Sequence, residues 1–391
     1  MTMWRLPRRA LPASLRLALA CCAFSIAMFA GDATAAYRIV ELSVPSDAQG
    51  GEASDVNAAG DVAGHVFDAG NGRHRATVWR APDHVPYVLK EDRVTYRESE
   101  ADRINDRGFI LGEMHPRKAG VQTAKVVWGP DDDFVVLAQA QGQQWSRAYD
   151  INDANAVVGT VMPRNGTAGA VAWPGPGGDR LRWLAGTNPG FREGEAYAIN
   201  DAGMAVGHAH AVGDSDSHAF RWTAREGMRA LGTAGASIAY DVNEAGQAVG
   251  VADSRAVIWE SDGSMRDLGG LPGGGADYLQ ANRINNLGLV IGQTQGSGEI
   301  TDYVWTSGAG LLRIADAIDP RDPWYARLQS GDARLSARGL NDAGTIVGVL
   351  SVSGRLYGIP VMLVSEAQCP LPMVCRVPVV RDPAGRIGVR R

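Results

Sequence analysis

One short stretch recurs seven times and leaves the chain few ways to fold. Its fifth copy is Asp241-Val242-Asn243-Glu244-Ala245-Gly246-Gln247-Ala248-Val249-Gly250. The Asn falls at Asn57, Asn105, Asn152, Asn200, Asn243, Asn285 and Asn341, at intervals of 48, 47, 48, 43, 42 and 56 residues. An aliphatic residue precedes each Asn, and a Gly stands seven residues after it, from Gly64 to Gly348. Three residues after the Asn comes Gly in six units and Asn155 in the third, the other residue type that tolerates positive φ. A period of this size marks a repeat architecture, which overrides the two or three domains that 391 residues would otherwise imply.

Each period reads as four short strands. In the fourth unit, Ala196 to Asn200, Met204 to His208, His218 to Trp222 and Met228 to Gly232 alternate apolar and polar residues between Gly- and Asp-containing turns. Asn-Asp-Ala-Gly suits a type I turn, with Asn capping the backbone and the fourth residue left-handed. The third run ends in Trp79, Trp128, Trp173, Trp222, Trp259 and Trp305, with Val361 aligned there in the seventh unit. A ring at one position in every unit fills the wedge between neighbouring sheets. Unit seven lacks a fourth strand, and Tyr37 to Leu42, ahead of unit one, resembles one. The expected fold is therefore all-β: a seven-bladed propeller of four-stranded antiparallel blades over residues 37–366, closed by its N-terminal strand.

The two ends read differently. Arg5, Arg8, Arg9 and Arg16 precede an apolar run from Leu17 to Ala30 and the small-x-small triplet Ala33-Thr34-Ala35, so residues 1–36 read as a secretory signal peptide. The run is shorter than a bilayer span needs. Residues 367–391 form a basic, Pro-containing tail in which Cys369 and Cys375 are placed for a local disulfide in an oxidising compartment. The whole chain carries a net charge of −5 although both ends are basic, so the body is more acidic still and unsuited to nucleic acid. The expectations are a secreted or periplasmic bacterial protein, monomeric, with no membrane span once the signal is removed.

The repeat resembles that of the bacterial extracellular HAF-repeat proteins. Ile199-Asn200-Asp201-Ala202-Gly203, His218-Ala219-Phe220-Arg221-Trp222 and Met265-Arg266-Asp267-Leu268-Gly269 carry the likeness, which covers nearly all of 37–364. Units one, two and seven depart from it in the His-Ala-Phe segment. The resemblance implies export and a propeller-like fold. It brings no established reaction, cofactor or catalytic residue.

Motifs of chemistry are sparse. Asp55-Val56-Asn57-Ala58-Ala59-Gly60 echoes a calcium loop, but its twelfth position is Val66 and unit six has no carboxylate there, so turn geometry explains the pattern. His208, His210 and His218 fall in one unit and lack a fourth zinc ligand. Gly-x-Ser-x-Gly is absent. Neither metal nor cofactor is expected. The one long departure from the repeat is Ala317 to Ser336, where Trp324, Tyr325 and Arg327, with Asp322, are candidate contacts to a glycan or protein; the competing reading is a loop packing its own aromatics. The face carrying the loops between second and third strands, and those linking blades, varies most: Arg73 and His74, Tyr96-Arg97, His115 to Lys118, Gln144-Trp145, His210 to Ser217. It is the expected binding face of a non-enzymatic scaffold for an unidentified protein or glycan. The alternative is a propeller enzyme acting on extracellular polysaccharide, which a convergent group of His, acids and Arg with shifted pKa values would favour.

Overall fold

The computed structural model describes residues 37–365, apart from Asn165 and residues 176–179, 185–189, 233–234, 272–277 and 297–298. The segment expected to be a signal peptide, the basic tail and the expected Cys369–Cys375 pair lie outside the described residues. Seven four-stranded antiparallel sheets are arranged as blades. Six follow chain order, as in Phe191–Ile199, Ala205–Ala211, Ser217–Thr223 and Gly227–Ala230. The seventh takes Ala333–Leu340, Ile346–Val352 and Ile359–Ser365 from the end of the chain and Tyr37–Glu41 from its beginning. Among the described residues no helix is long and apolar enough to cross a membrane.

The repeated turn explains itself. Gly60, Gly108, Gly203, Gly246, Gly288 and Gly344 all have φ near +80°, and Asn155 has φ +58°. Each Asn Oδ1 accepts the backbone N–H four residues on, at 2.9–3.0 Å. Each Asn Nδ2 donates to the backbone carbonyl of the Asn in the next blade, at 2.9–3.2 Å, and Asn341 donates to Asn57. The seven turns thus form a closed, buried circuit about the axis. A second, exposed circuit runs beside it: the amide of the residue after each Asn donates to the next blade's side chain, from Ala58 to Asp106 through Asn286 to Asp342. Ala58 offers no acceptor and leaves the seventh link unmade.

Every innermost strand carries a bulge three residues before the Asn, as at Ala53/Asp55 and Ala239/Asp241. The later Gly faces that bulge. A methyl group on Gly64, Gly207 or Gly250 would collide with the carbonyl oxygen of Glu52, Glu195 or Ile238.

The hydrophobic core is divided among the seven wedges between blades. Trp79, Trp128, Trp173, Trp222, Trp259 and Trp305 are buried, one to a wedge. In blade seven the register puts Leu363, not Val361, in the Trp position: Ile346 faces Leu363 as Val62 faces Trp79, while Val361 faces Gly348. The two positions share a face because side chains alternate along a strand. The wedge that lacks a tryptophan in this column is filled by the insert and the turn leading into it: Ile314, Ile318 and Leu328 are buried there, with Trp324 and Tyr325 packed against them.

Candidate functional site

The bulge re-aims side chains into the central channel, where Asp55, Arg103, Asp150, Asp241 and Arg283 line a cavity of about 190 Å³. These carboxylates are engaged in joining blades. Asp55 accepts the Ile104 amide at 3.1 Å, Asp150 that of Ile199 at 2.9 Å, and Asp241 that of Ile284 at 2.8 Å. Burial pushes Asp150 up to about 7 and Asp241 up to about 8, each raised further by a neighbouring Asp and opposed by Arg103 and the backbone amides. The Asp150 side chain is 19% exposed toward the channel. Both carboxyls hold protons in the fold that an unfolded chain releases near pH 4, so stability falls as pH rises from about 5 to 8. Asp150→Asn and Asp241→Asn keep the acceptor oxygen without the charge. The double variant is expected to melt a few degrees above the parent at pH 8 and to show a shallower pH dependence. Melting curves at both ends of that range check this.

The roomier opening is a cleft of about 700 Å³ between blades two and three, on the face of the variable loops. Its wall includes Gln122, Thr123 and Lys125 of blade two and Gln144 to Tyr149 of blade three. An amide clasp spans the rim, with Gln143 Nε2 donating to Gln122 Oε1 at 3.1 Å and Gln122 Nε2 to the Gln144 carbonyl at 2.8 Å. The Arg147 guanidinium lies 5.4 Å from the centre of the Trp145 ring. The Tyr149 hydroxyl donates to Glu195 at 2.5 Å. Burial pulls Lys125 down to about 8 and pushes the Asp102 carboxyl up.

From Glu113 and Lys125 of the cleft wall a polar chain continues through blade two to blade one. His74 Nδ1 lies 2.6 Å from Glu100 Oε1. His115 Nε2 lies 3.6 Å from that oxygen and 3.1 Å from Glu113 Oε1, and Lys125 pairs with Glu113 Oε2. Hydrogen bonds from His115 and His74 hold Glu100 well below the usual carboxylate range, and both imidazoles are raised in return. His65 stacks on His74 at 4.7 Å, and burial pulls it down to about 4. Sequence reading placed His74, His115 and Gln144-Trp145 on this face but did not connect them. Glu100 and Glu113 carry no motif. Only the pairing of Glu100 with Glu113 across a hairpin, and the packing of blade one against blade two, converge them.

The insert residues lie elsewhere, against the outer edge of the closing strand. Asp322 is buried, accepting the Ile39 amide at 2.9 Å through Oδ2 and the Trp324 amide at 2.9 Å through Oδ1. Trp324 Nε1 donates to Glu41 at 3.0 Å; Arg327 pairs with Asp332 at 2.7 Å and lies 5.0 Å from the centre of the Trp324 ring. Tyr325 begins a one-turn helix, Tyr325–Gln329. Asp322 and Trp324 therefore hold the edge of the closing strand, which would otherwise face other chains, while Arg327 braces Trp324 and Tyr325 packs on the wedge core. Replacing Trp324 and Tyr325 together by Ala is expected to cost about 2–4 kcal/mol, as deletion of half-buried aromatics does. Denaturant unfolding measures it, with ligand affinity following only the fraction folded. His208 and His210 meet edge to face at 5.8 Å, but the three histidines do not form one ligand set: His208 also stacks on Tyr197 at 5.6 Å, and His218 pairs with Asp214 at 2.8 Å.

No family model matches the chain, and no curated protein matches it in sequence. Solved structures do. Virginiamycin B lyase from Staphylococcus aureus is similar over 84% of this chain and 98% of its own, at 9% identity and a TM-score of 0.50. The β-propeller domain of the Trilobed protease from Pyrococcus furiosus is similar over 81% and 96%, at 11% identity and a TM-score of 0.50. At such identities the likeness is one of fold, and the chain is a seven-bladed β-propeller resembling lyase and protease propellers.

Proposed function

We propose that the protein is an exported binding scaffold whose cleft between blades two and three takes an acidic glycan. One observation carries the reading: Arg103, Lys125 and Arg147 line a cleft of ligand size in which the Arg147 guanidinium lies over the Trp145 ring, on a body that is acidic overall. A pyranose ring stacks on indole, and a uronate carboxylate pairs with guanidinium. Gln122 and Gln144 add amide groups suited to sugar hydroxyls. The leader sequence and the HAF-like repeat support export and an interaction role.

The test is calorimetric titration of the secreted chain with an oligouronate and with a neutral oligosaccharide of equal length. The acidic ligand is expected to bind at least about tenfold more tightly, and Arg147→Ala or Trp145→Ala to weaken it by a comparable factor. Equal affinity for both sugars, or no binding of either, defeats the proposal.

A second reading has its own observation, the His74–Glu100–His115–Glu113–Lys125 chain, which reaches the cleft through Glu113 and Lys125. Such a set can move protons, and a buried Lys drawn toward neutrality is a usable base. This reading makes the protein a polysaccharide-degrading enzyme. New unsaturated or reducing ends after incubation with the oligouronate, abolished by Lys125→Met, would establish it over simple binding.

A further inference from the structure

We propose that Glu100, Glu113 and His115 form a binding site for one divalent transition-metal ion, with zinc the ion whose donor preferences they best meet. Their ligand atoms lie within 4.8 Å of one another, and each side chain is half-buried. His115 Nε2 is 3.1 Å from Glu113 Oε1 and 3.6 Å from Glu100 Oε1. Tetrahedral zinc with bonds of about 2.0–2.1 Å requires ligand atoms roughly 3.3–3.4 Å apart, so these edges bracket the required value. One imidazole and two carboxylates make a borderline-to-hard donor set that suits zinc and leaves a fourth position open.

The surroundings hold each ligand in place. Lys125 pairs with Glu113 Oε2, which leaves Oε1 turned toward His115. His74 sits 2.6 Å from Glu100 Oε1, too close to be a fellow ligand but correctly placed to orient the carboxylate, and His65 stacks on it to fix its ring. The other nitrogen of His115, Nδ1, lies 3.5 Å from the Thr123 hydroxyl, so Nε2 is the one presented to the carboxylates. Outer partners of this kind accompany metal ligands as a rule. Glu113 also lines the cleft, so a bound ion would stand at its wall and add positive charge there. The inference does not depend on the ligand proposed for that cleft.

The test uses the complete secreted chain after treatment with a chelator. Zinc chloride is titrated calorimetrically, and bound zinc is counted by elemental analysis after gel filtration. Cobalt(II) supplies a visible spectrum that reports coordination number. The expected result is one zinc per chain and a tetrahedral cobalt spectrum. His115→Ala and Glu113→Gln should each lose at least about tenfold in zinc affinity, while Lys125→Met loses less. Circular dichroism without zinc confirms that each variant is folded; should His115→Ala fail to fold, Glu113→Gln carries the test. His210→Ala is the control, since that residue lies in another blade. No stoichiometric zinc on the parent chain, or binding undiminished in a folded Glu113→Gln variant, overturns the proposal and leaves the cluster an ion-pair network. The oligouronate titration is run separately, so either result stands without the other.

Discussion

A chain begun after Val44 is expected to lose its cooperative melting transition, or to melt on the order of 10 °C below a parent begun at Ala36. The shortened chain lacks Tyr37–Glu41, which pairs in antiparallel register with Val361 to Ser365. It also lacks Tyr37 and Leu42, both buried, and the Trp79 indole loses its acceptor, the Ser43 carbonyl at 2.7 Å. The outer edge of blade seven is then left unpaired, and the wedge filled by Ile314, Ile318 and Leu328 opens. Each buried aromatic or leucine removed costs about 2–5 kcal/mol, and a loss of several kcal/mol in a domain of this size shifts the transition by about this much. Calorimetry of the two chains decides it. An unchanged melting temperature would mean that the ring does not depend on its N-terminal strand.

Asn200→Asp should be among the most damaging single-atom changes available to this chain, at about 3–5 kcal/mol. Its Oδ1 accepts the Met204 amide at 2.9 Å, and its Nδ2 donates to the Asn243 carbonyl at 3.0 Å. Aspartate keeps the first bond. In the second it sets a carboxylate oxygen against a carbonyl oxygen at a buried site, where an unpaired charge is costly. Asn200→Ala, which loses both bonds without adding charge, should cost less, about 2–3 kcal/mol. Denaturant unfolding of the two variants at pH 7.5 gives the ordering. Asn200→Asp at or below the cost of Asn200→Ala would mean that the bond between blades contributes little.

These two positions also show what can be read along a chain and what cannot. The turn half of each Asn was legible, down to the positive φ of Asn155, because its partners lie within four residues. The half that joins blades was not. Its partner stands 42 to 56 residues away, and spacing alone does not say which atoms meet. Strand closure was legible because a missing fourth strand at one end matched a surplus one at the other. The placement of Val361 in the Trp column failed by two residues, the error a strand's period of two conceals; the register gives the position to Leu363. The aromatics of the insert were conspicuous in sequence for the same reason they are useful in packing, since large rings fill a wedge that has only Leu363. The Glu100–Glu113–His115 group left little local trace, because two strands supply its members and three others its supports, and only Glu113 and His115 are near one another in sequence.

The Asn circuit has a consequence for where the chain can begin. Every Nδ2 donates forward to the following blade, and the contact from Asn341 to Asn57, across 284 residues, measures 3.0 Å, the same as that from Asn200 to Asn243. In the Asn circuit the junction between last and first blades is thus equivalent to any other, although the exposed link beside it is missing there. Termini are therefore interchangeable with the exposed links between blades: a circular permutant opened there, with the original ends joined, retains all seven forward contacts. What sets blades two and three apart is then not position in the ring but the side chains they bring to the cleft, so the scaffold can be re-ordered in sequence without moving that cleft.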